Sequence, residues 1–182
     1  KAYVSQRSIP AGAIWLYHRG GGGGVELVQR LHGTQSQKNI AEPEFSPDGR
    51  YLYFSQDVTA GRVWEYNRDA LQGIFAVRRL DRETGEVTTV VSGPGGAIRP
   101  VVSPDGSKLA FIRRNPETLR SRLVVKDLRS GIERTVFDGL DRDMQETSGD
   151  IGNYPAYSWL PDGEGLVFWA GGRFHRVSGR PW

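Results

Sequence analysis

Three stretches of the chain share one pattern of apolar positions, and each follows a Pro-Asp-Gly turn. Leu and Phe occupy the third and fifth positions after the turn glycine: Leu52 and Phe54, Leu109 and Phe111, Leu166 and Phe168. Successive side chains of a strand point to opposite faces, so the Leu and Phe of each stretch share one face. The pattern therefore predicts three strands that each bury a Leu–Phe pair.

The three turns are equally spaced and define an internal repeat. Their prolines are Pro47, Pro104 and Pro161, each 57 residues apart. Proline presets φ, aspartate bonds the backbone that follows it and glycine accepts a positive φ, so each turn leads into a strand. A further proline precedes each turn, four residues before the turn proline in the first two units and six before it at Pro155. We interpret this difference as two extra residues, Trp159–Leu160.

A second hairpin follows in the two middle units, where apolar and β-branched runs flank turns at Gly85 and Gly131. With the strands of a unit named a to d, the chain is predicted to read bcd, abcd, abcd and abc, which gives 14 strands and almost no helix. Tandem four-stranded antiparallel units are typical of β-propellers. The sequence therefore predicts an all-β fold, a partial β-propeller of four-stranded antiparallel blades, two complete and two partial. One segment, 1–182, would hold blades at approximately 1–40, 41–95, 96–150 and 151–182.

The two partial units cannot complete each other. The first lacks strand a and the last lacks strand d, so pairing the termini would not close a ring. Unpaired strand edges favour aggregation, and native folds avoid them. We therefore expect the chain to be a slice of a larger propeller, or else to assemble with another copy that supplies the missing blades.

The turn-and-strand segments resemble the repeat of TolB-like propellers. The two segments that carry this resemblance run from Glu42 to Phe54 and from Arg99 to Phe111. The resemblance covers nearly the whole chain. It implies a TolB-like β-propeller that binds other proteins, in a periplasmic or secreted location in bacteria.

A narrower resemblance links the last third of the chain to large bacterial amidohydrolases. It rests on four segments: Gly139–Glu146, Tyr154–Pro155, Trp159–Gly163 and Val167–Arg173. Those enzymes carry a TolB-like propeller ahead of a metal-dependent hydrolase barrel. The resemblance implies that this chain is the non-catalytic N-terminal module of such an enzyme, because the His-x-His pair of the barrel does not occur in this sequence.

Two other functions fit the same repeat. The chain could be a stand-alone TolB-like envelope module that binds proteins, or the gating propeller of a serine oligopeptidase. A downstream His-x-His barrel, no downstream domain, or a downstream Gly-x-Ser-x-Gly hydrolase would distinguish the three. We expect no catalysis by this chain alone.

The long connections all fall on one side of the predicted blades. In an antiparallel blade, the b–c and d–a connections lie on one side and the a–b and c–d turns on the other; the long ones run over 56–73, 113–121 and 138–153. Long loops on a rigid scaffold often carry function. Trp, Tyr and Arg are enriched in interface hot spots, and we predict a protein-binding set on these loops. Its members are Trp64, Tyr66, Arg68, Arg113, Arg114, Asp141, Arg142, Asp143 and Glu146.

A plainer interpretation stays open for these loops: solvated segments with local salt bridges. The two interpretations differ in what replacing Trp64 and Tyr66 by alanine would do. A binding role predicts weaker docking of the rest of the protein without lower blade stability, whereas packing predicts lower stability.

Composition narrows the function classes further. The 182 residues include no cysteine, which excludes disulfides, thiolate metal sites and cysteine nucleophiles. The net charge of +3 comes from 24 basic and 21 acidic residues, so we expect no nucleic-acid partner. No apolar run reaches the ~20 residues of a membrane helix, so no membrane insertion is expected. The three histidines, His18, His32 and His175, do not have the spacing of metal ligands, and Asp138, Asp141 and Asp143 lack the further ligands of a calcium loop. We expect no metal and no cofactor.

Overall fold

The computed structural model describes residues 13–28, 36, 38–65, 68–146 and 156–178. Within them the fold is all-β, with thirteen strands in four antiparallel sheets and a single 3-10 turn at Ala70–Gln72. In the first unit, strands are predicted at 2–6, 13–17 and 25–31; the first of these, and residues 29–31 of the third, lie outside the described residues.

The four sheets follow one another along the chain. The first has β1 (Ile14–Leu16) and β2 (Val25–Val28). The second has β3 (Ile40–Phe45), β4 (Tyr51–Asp57), β5 (Phe75–Asp81) and β6 (Val87–Val91). The third has β7 (Ile98–Val102), β8 (Lys108–Arg114), β9 (Ser121–Asp127) and β10 (Glu133–Leu140). The fourth has β11 (Tyr157–Trp159), β12 (Gly165–Ala170) and β13 (Arg173–Ser178).

Within each sheet the strands pair in chain order, as in a propeller blade. Two sheets therefore have all four strands, and two have fewer among the described residues. The predicted fold class, a partial β-propeller with two complete and two partial blades, is confirmed.

The Pro-Asp-Gly turns form as predicted and explain where each second strand begins. In the first turn, Ser46 Oγ donates to Asp48 Oδ1 at 2.5 Å, and Gly49, with φ of 71°, donates its N–H to the Ser46 carbonyl at 2.8 Å. The second turn repeats these contacts. A Cβ built on Gly106 would lie 3.7 Å from Pro47 Cδ, so successive turns pack on one another.

Each Leu–Phe pair is buried between two sheets. Leu109 and Phe111 are fully buried against the second sheet, in a cluster that includes Tyr53 and Val77. The other two pairs occupy the equivalent clusters on either side, as the sequence predicts. The core is thus a series of layers between consecutive sheets.

The interpretation of Trp159–Leu160 as two extra residues is wrong. Trp159 pairs with Leu166, in the same register as Val102 with Leu109 and Phe45 with Leu52. The repeat therefore runs without offset through this strand. Pro155, which suggested the insertion, lies outside the described residues.

A braced loop on one side of the blades

The long connections lie at one end of the sheets, as the antiparallel order requires. They follow β4 over 58–74, β8 over 115–120 and β10 over 141–156, the last described only to 146 and again from 156. We call this side of the molecule the loop face. The segment 141–146 after β10 carries four of the nine predicted binding residues.

Arg114, the last residue of β8, is buried and gathers two acidic side chains from that segment. Its Nη2 donates to Asp143 Oδ1 at 2.6 Å, to the Asp143 carbonyl at 2.8 Å and to Glu146 Oε2 at 2.9 Å. The three side chains are 2%, 1% and 8% exposed. Since buried charges are tolerated only when paired and hydrogen-bonded, this network fixes the segment in one position.

Two further contacts hold the same segment. Ser121 Oγ, at the start of β9, donates to Asp143 Oδ2 at 2.5 Å and accepts from the Asp143 N–H at 3.0 Å. Gln145 Nε2 donates to the Gly95 carbonyl at 3.2 Å, and that carbonyl also accepts from the Arg114 N–H at 3.0 Å. The connection after β10 is therefore tied both to its own sheet and to the connection before β7.

The buried pairs shift the ionisation of their members. Burial by itself would raise the pKa of Glu146, but hydrogen bonds from Arg114 and Arg142 outweigh it and hold this pKa below its ordinary value. Burial likewise lowers the pKa of Arg114, and the hydrogen bonds to Asp143 and Glu146 overcome it, so the net shift is upward. Both groups are charged at neutral pH.

The outer side of the segment 141–146, which we call the braced loop, is exposed. Arg120 and Asp141 form a loose pair at 3.6 Å and are 58% and 68% exposed. Arg142 is 57% exposed and donates through Nε to Glu146 Oε1 at 2.9 Å. Met144 is also exposed. Charged groups and one flexible apolar side chain thus face solvent above the buried network.

Four residues of the predicted protein-binding set are buried in the structure, and burial sets them apart from the exposed members. The side chains of Arg114, Asp143 and Glu146 form the buried network. Trp64 is 4% exposed and packs on Phe75, with ring centroids 6.1 Å apart. Its ring belongs to the core between sheets. Trp64 is buried because the loop that carries it packs against Phe75, the first residue of β5.

Arg68 and Arg113 are partly buried, and most of each side chain is shielded from solvent. Arg68 pairs with Glu65 at 3.1 Å and lines a cavity of about 650 Å³ with Thr59 and Asp69. Arg113 pairs with Glu133, and its guanidinium lies 4.9 Å from the centroid of the Phe111 ring. Tyr66 lies outside the described residues.

Sequence reasoning missed a polar cluster that joins the first strands of three sheets. The Glu42 carboxylate accepts from the Arg99 N–H at 2.7 Å and from Ser55 Oγ at 2.8 Å, and the Tyr157 hydroxyl donates to the Arg99 carbonyl. Glu42 and Arg99 are 57 residues apart and have φ of 58° and 55°. The sequence signal for this cluster was a pair of opposite charges at one repeat position. Glu42 is acidic and Arg99 is basic, and each lies directly before a proline.

Burial governs the ionisation of this cluster. It raises the pKa of Glu42, and the hydrogen bonds from Ser55 and Arg99 offset only part of the effect. The pKa of Tyr157 is raised well above its ordinary value for the same reason. The cluster satisfies its own donors and acceptors and links neighbouring sheets.

The described residues offer neither a metal-binding cluster nor a membrane-spanning helix. They contain no group of three or more His, Asp or Glu side chains placed to hold a metal ion. No helix within the described part is long and apolar enough to cross a membrane.

Comparison with known proteins supports the fold. No family model matches the chain. It is 25% identical over 132 residues to an uncharacterized protein of Agrobacterium fabrum, a match that covers 69% of this chain and 38% of that protein. The chain therefore spans well under half the length of this curated relative.

Two solved structures are similar over nearly the whole chain. TolB from Acinetobacter baumannii matches with a TM-score of 0.62 and 18% identity, over 92% of this chain and 35% of TolB. Oligogalacturonate lyase in complex with manganese matches with a TM-score of 0.63 and 17% identity, over 96% of this chain and 43% of the lyase. The fold is a TolB-like β-propeller.

Proposed function

We propose that the chain is a non-catalytic scaffold and interaction module, the N-terminal part of a larger metal-dependent amidohydrolase-like hydrolase. The hydrolase domain would dock on the loop face, with the exposed side chains of 141–146 and Arg120 in contact. A periplasmic or secreted location accompanies this proposal.

The braced loop is the observation that supports docking. A buried ion network adds little net stability, because removing its charges from water costs free energy. Such a network can instead hold a segment in one conformation. Here the network of Arg114, Asp143 and Glu146 holds a segment whose outer side chains are exposed. A surface already held in its binding conformation loses less entropy when a partner docks.

A charge reversal at an exposed position tests the docking. In a calorimetric titration with the hydrolase domain from the same reading frame, Asp141→Lys should weaken binding at least about tenfold, because a repulsive charge enters the contact. The melting temperature should stay unchanged, since Asp141 is 68% exposed. Glu86→Lys, the same change at an exposed turn on the opposite side, is the matched control.

Two results would contradict the proposal. One is equal affinity for the wild-type chain and Asp141→Lys. The other is hydrolytic turnover by the purified 182-residue chain supplied with Zn²⁺ or Mn²⁺.

A second candidate is a stand-alone TolB-like module that binds proteins of the bacterial envelope. The similarity to TolB over 92% of the chain favours it. A reading frame without a hydrolase domain, together with recovery of the protein in the periplasmic fraction, would support this candidate over the first. Gating in a serine oligopeptidase stays a prediction of the repeat pattern.

A further inference from the structure

The last sheet exposes a large aromatic pair on the side that faces away from the third sheet. Trp169 on β12 pairs in register with Phe174 on β13, and their rings meet edge to face at 5.1 Å. The two side chains are 42% and 76% exposed. The next pair on the same side is Val167 with Arg176; Val167 is half-buried and Arg176 is exposed. We call this side of the sheet the open face.

The same repeat positions are fully buried in the two complete sheets. Fifty-seven residues before Trp169 lies Ile112, which pairs with Leu123, and 57 residues before Ile112 lies Ser55, which pairs with Val77. All four side chains of these two pairs are 0% exposed. The open face therefore differs from its equivalents in being uncovered.

What covers the equivalent positions is the same in both cases. Val77 lies in one cluster with Leu109 and Phe111 of the third sheet. Ile112 and Leu123 lie in one cluster with Leu166 and Phe168 of the fourth. In each interface the following sheet thus supplies the Leu–Phe pair that comes after its Pro-Asp-Gly turn.

We propose that the open face docks a further β-sheet of this repeat, whose Leu–Phe pair packs on Trp169 and Phe174. This inference rests on the proposed role of the chain within a larger protein. Contiguous exposed aromatic surface marks an interaction site far more often than scattered apolar residues do. The proposed contact continues a series of interfaces that the molecule already contains twice.

A second copy of the described residues does not offer the required partner. Leu166 and Phe168, like Leu109 and Phe111, are covered by the preceding sheet. The remaining pair, Leu52 and Phe54, is covered by Ile14 and Val28 of the first sheet. Every Leu–Phe pair in the described part of the chain is therefore occupied. The curated relative, of which the chain spans 38%, is long enough to hold further units.

Cysteine labelling tests the proposal directly, because the 182 residues contain no cysteine and the peptide that carries the introduced cysteine can be followed by mass spectrometry. Phe174→Cys is produced both in the 182-residue chain and in the protein from its complete reading frame, and its reaction with a maleimide is timed. Reaction in the complete protein should be slower by about 50-fold or more, because a buried thiol reacts only after local opening. Glu86→Cys, at an exposed turn away from the open face, should react equally in both proteins.

Val167→Cys, a near-isosteric change on the same face, keeps the test valid if Phe174→Cys prevents folding of the complete protein. Equal labelling of either cysteine in the chain and in the complete protein would overturn the proposal. Protection that appears in the 182-residue chain itself, and rises with its concentration, would point to a second copy and also overturn it. Such a result leaves the Asp141→Lys docking test unaffected, so failure of this inference is distinguishable from failure of the proposed function.

Discussion

Arg114 and Asp57 show how one repeat position can carry opposite charges. They are 57 residues apart, and each ends the second strand of its sheet. Asp57 is buried beside Lys38, whose Nζ lies 3.7 Å from Asp57 Oδ2, while Arg114 is buried against Asp143. Charged residues such as these are mostly exposed in folded proteins. Their partners come from other connections, so burial at these positions could not be predicted from local pattern.

Replacing Arg114 by alanine should lower the free energy of unfolding by about 3–5 kcal/mol, because it leaves Asp143 and Glu146 buried without their cation. Urea denaturation at pH 7 measures the change. Arg120→Ala, which removes only an exposed pair, should cost less than about 1 kcal/mol. A loss below about 1 kcal/mol for both variants would show that the network does not hold the loop.

The second turn makes a prediction about acid stability. Hydrogen bonds from the Ser103 hydroxyl, and then from the Ser107 hydroxyl and N–H, lower the pKa of Asp105 from 3.8 to about 2. A lowered pKa in the folded state means that its contribution to stability is complete above pH 3.8 and is lost as pH falls through about 2. Asp105→Asn should therefore be less stable than wild type at pH 5, with a difference that shrinks towards pH 2.

Denaturation curves at several pH values measure this difference. Ser103→Ala, which removes the largest cause, should move the pKa of Asp105 back towards its ordinary value in an NMR titration. A stability difference that does not change with pH would contradict the assignment.

At the scale of elements, the sequence predicted the strands well and the connections poorly. Proline, aspartate and glycine encode the turns locally, so β4, β8 and β12 begin where the pattern places them. The positive φ angles of Glu42 and Arg99, at the register shifts of their strand pairs, were not predicted. A residue before proline usually adopts an extended conformation with a negative φ. Their geometry depends on contacts between sheets that no local pattern reports.

Gly95 tests the junction where two connections meet. Its φ is +83°, and an added Cβ would overlap the Arg114 carbonyl oxygen, which is backbone and cannot move aside. Gly131 has a similar φ of +76° but open space around it. Gly131→Ala should cost about 1–2 kcal/mol from backbone strain alone. Gly95→Ala should cost about 1–3 kcal/mol more, because the clash adds to that strain.

Urea denaturation of both variants provides the comparison. Equal losses would mean that the close approach of Gly95 to Arg114 is absent in solution. A larger loss for Gly95→Ala, accompanied by faster hydrogen exchange at 141–146, would tie this junction to the braced loop.

At the scale of the whole molecule, the equal 57-residue spacing was enough to predict consecutive sheets with repeated cores. Each Leu–Phe pair is buried where the repeat requires it. The candidate binding face was predicted as a region, because the antiparallel strand order determines on which side of the blades the long connections lie. The exposed residues within it could not be separated from the buried ones, since that depends on long-range pairing such as Arg114 with Glu146.

A crystal structure of the protein from its complete reading frame tests the central claim, that the chain folds as successive propeller blades. We predict that Leu52, Leu109 and Leu166 occupy matching sites, each covered by the preceding sheet. Unrelated surroundings for the three leucines, or long helices within 40–178, would contradict this account.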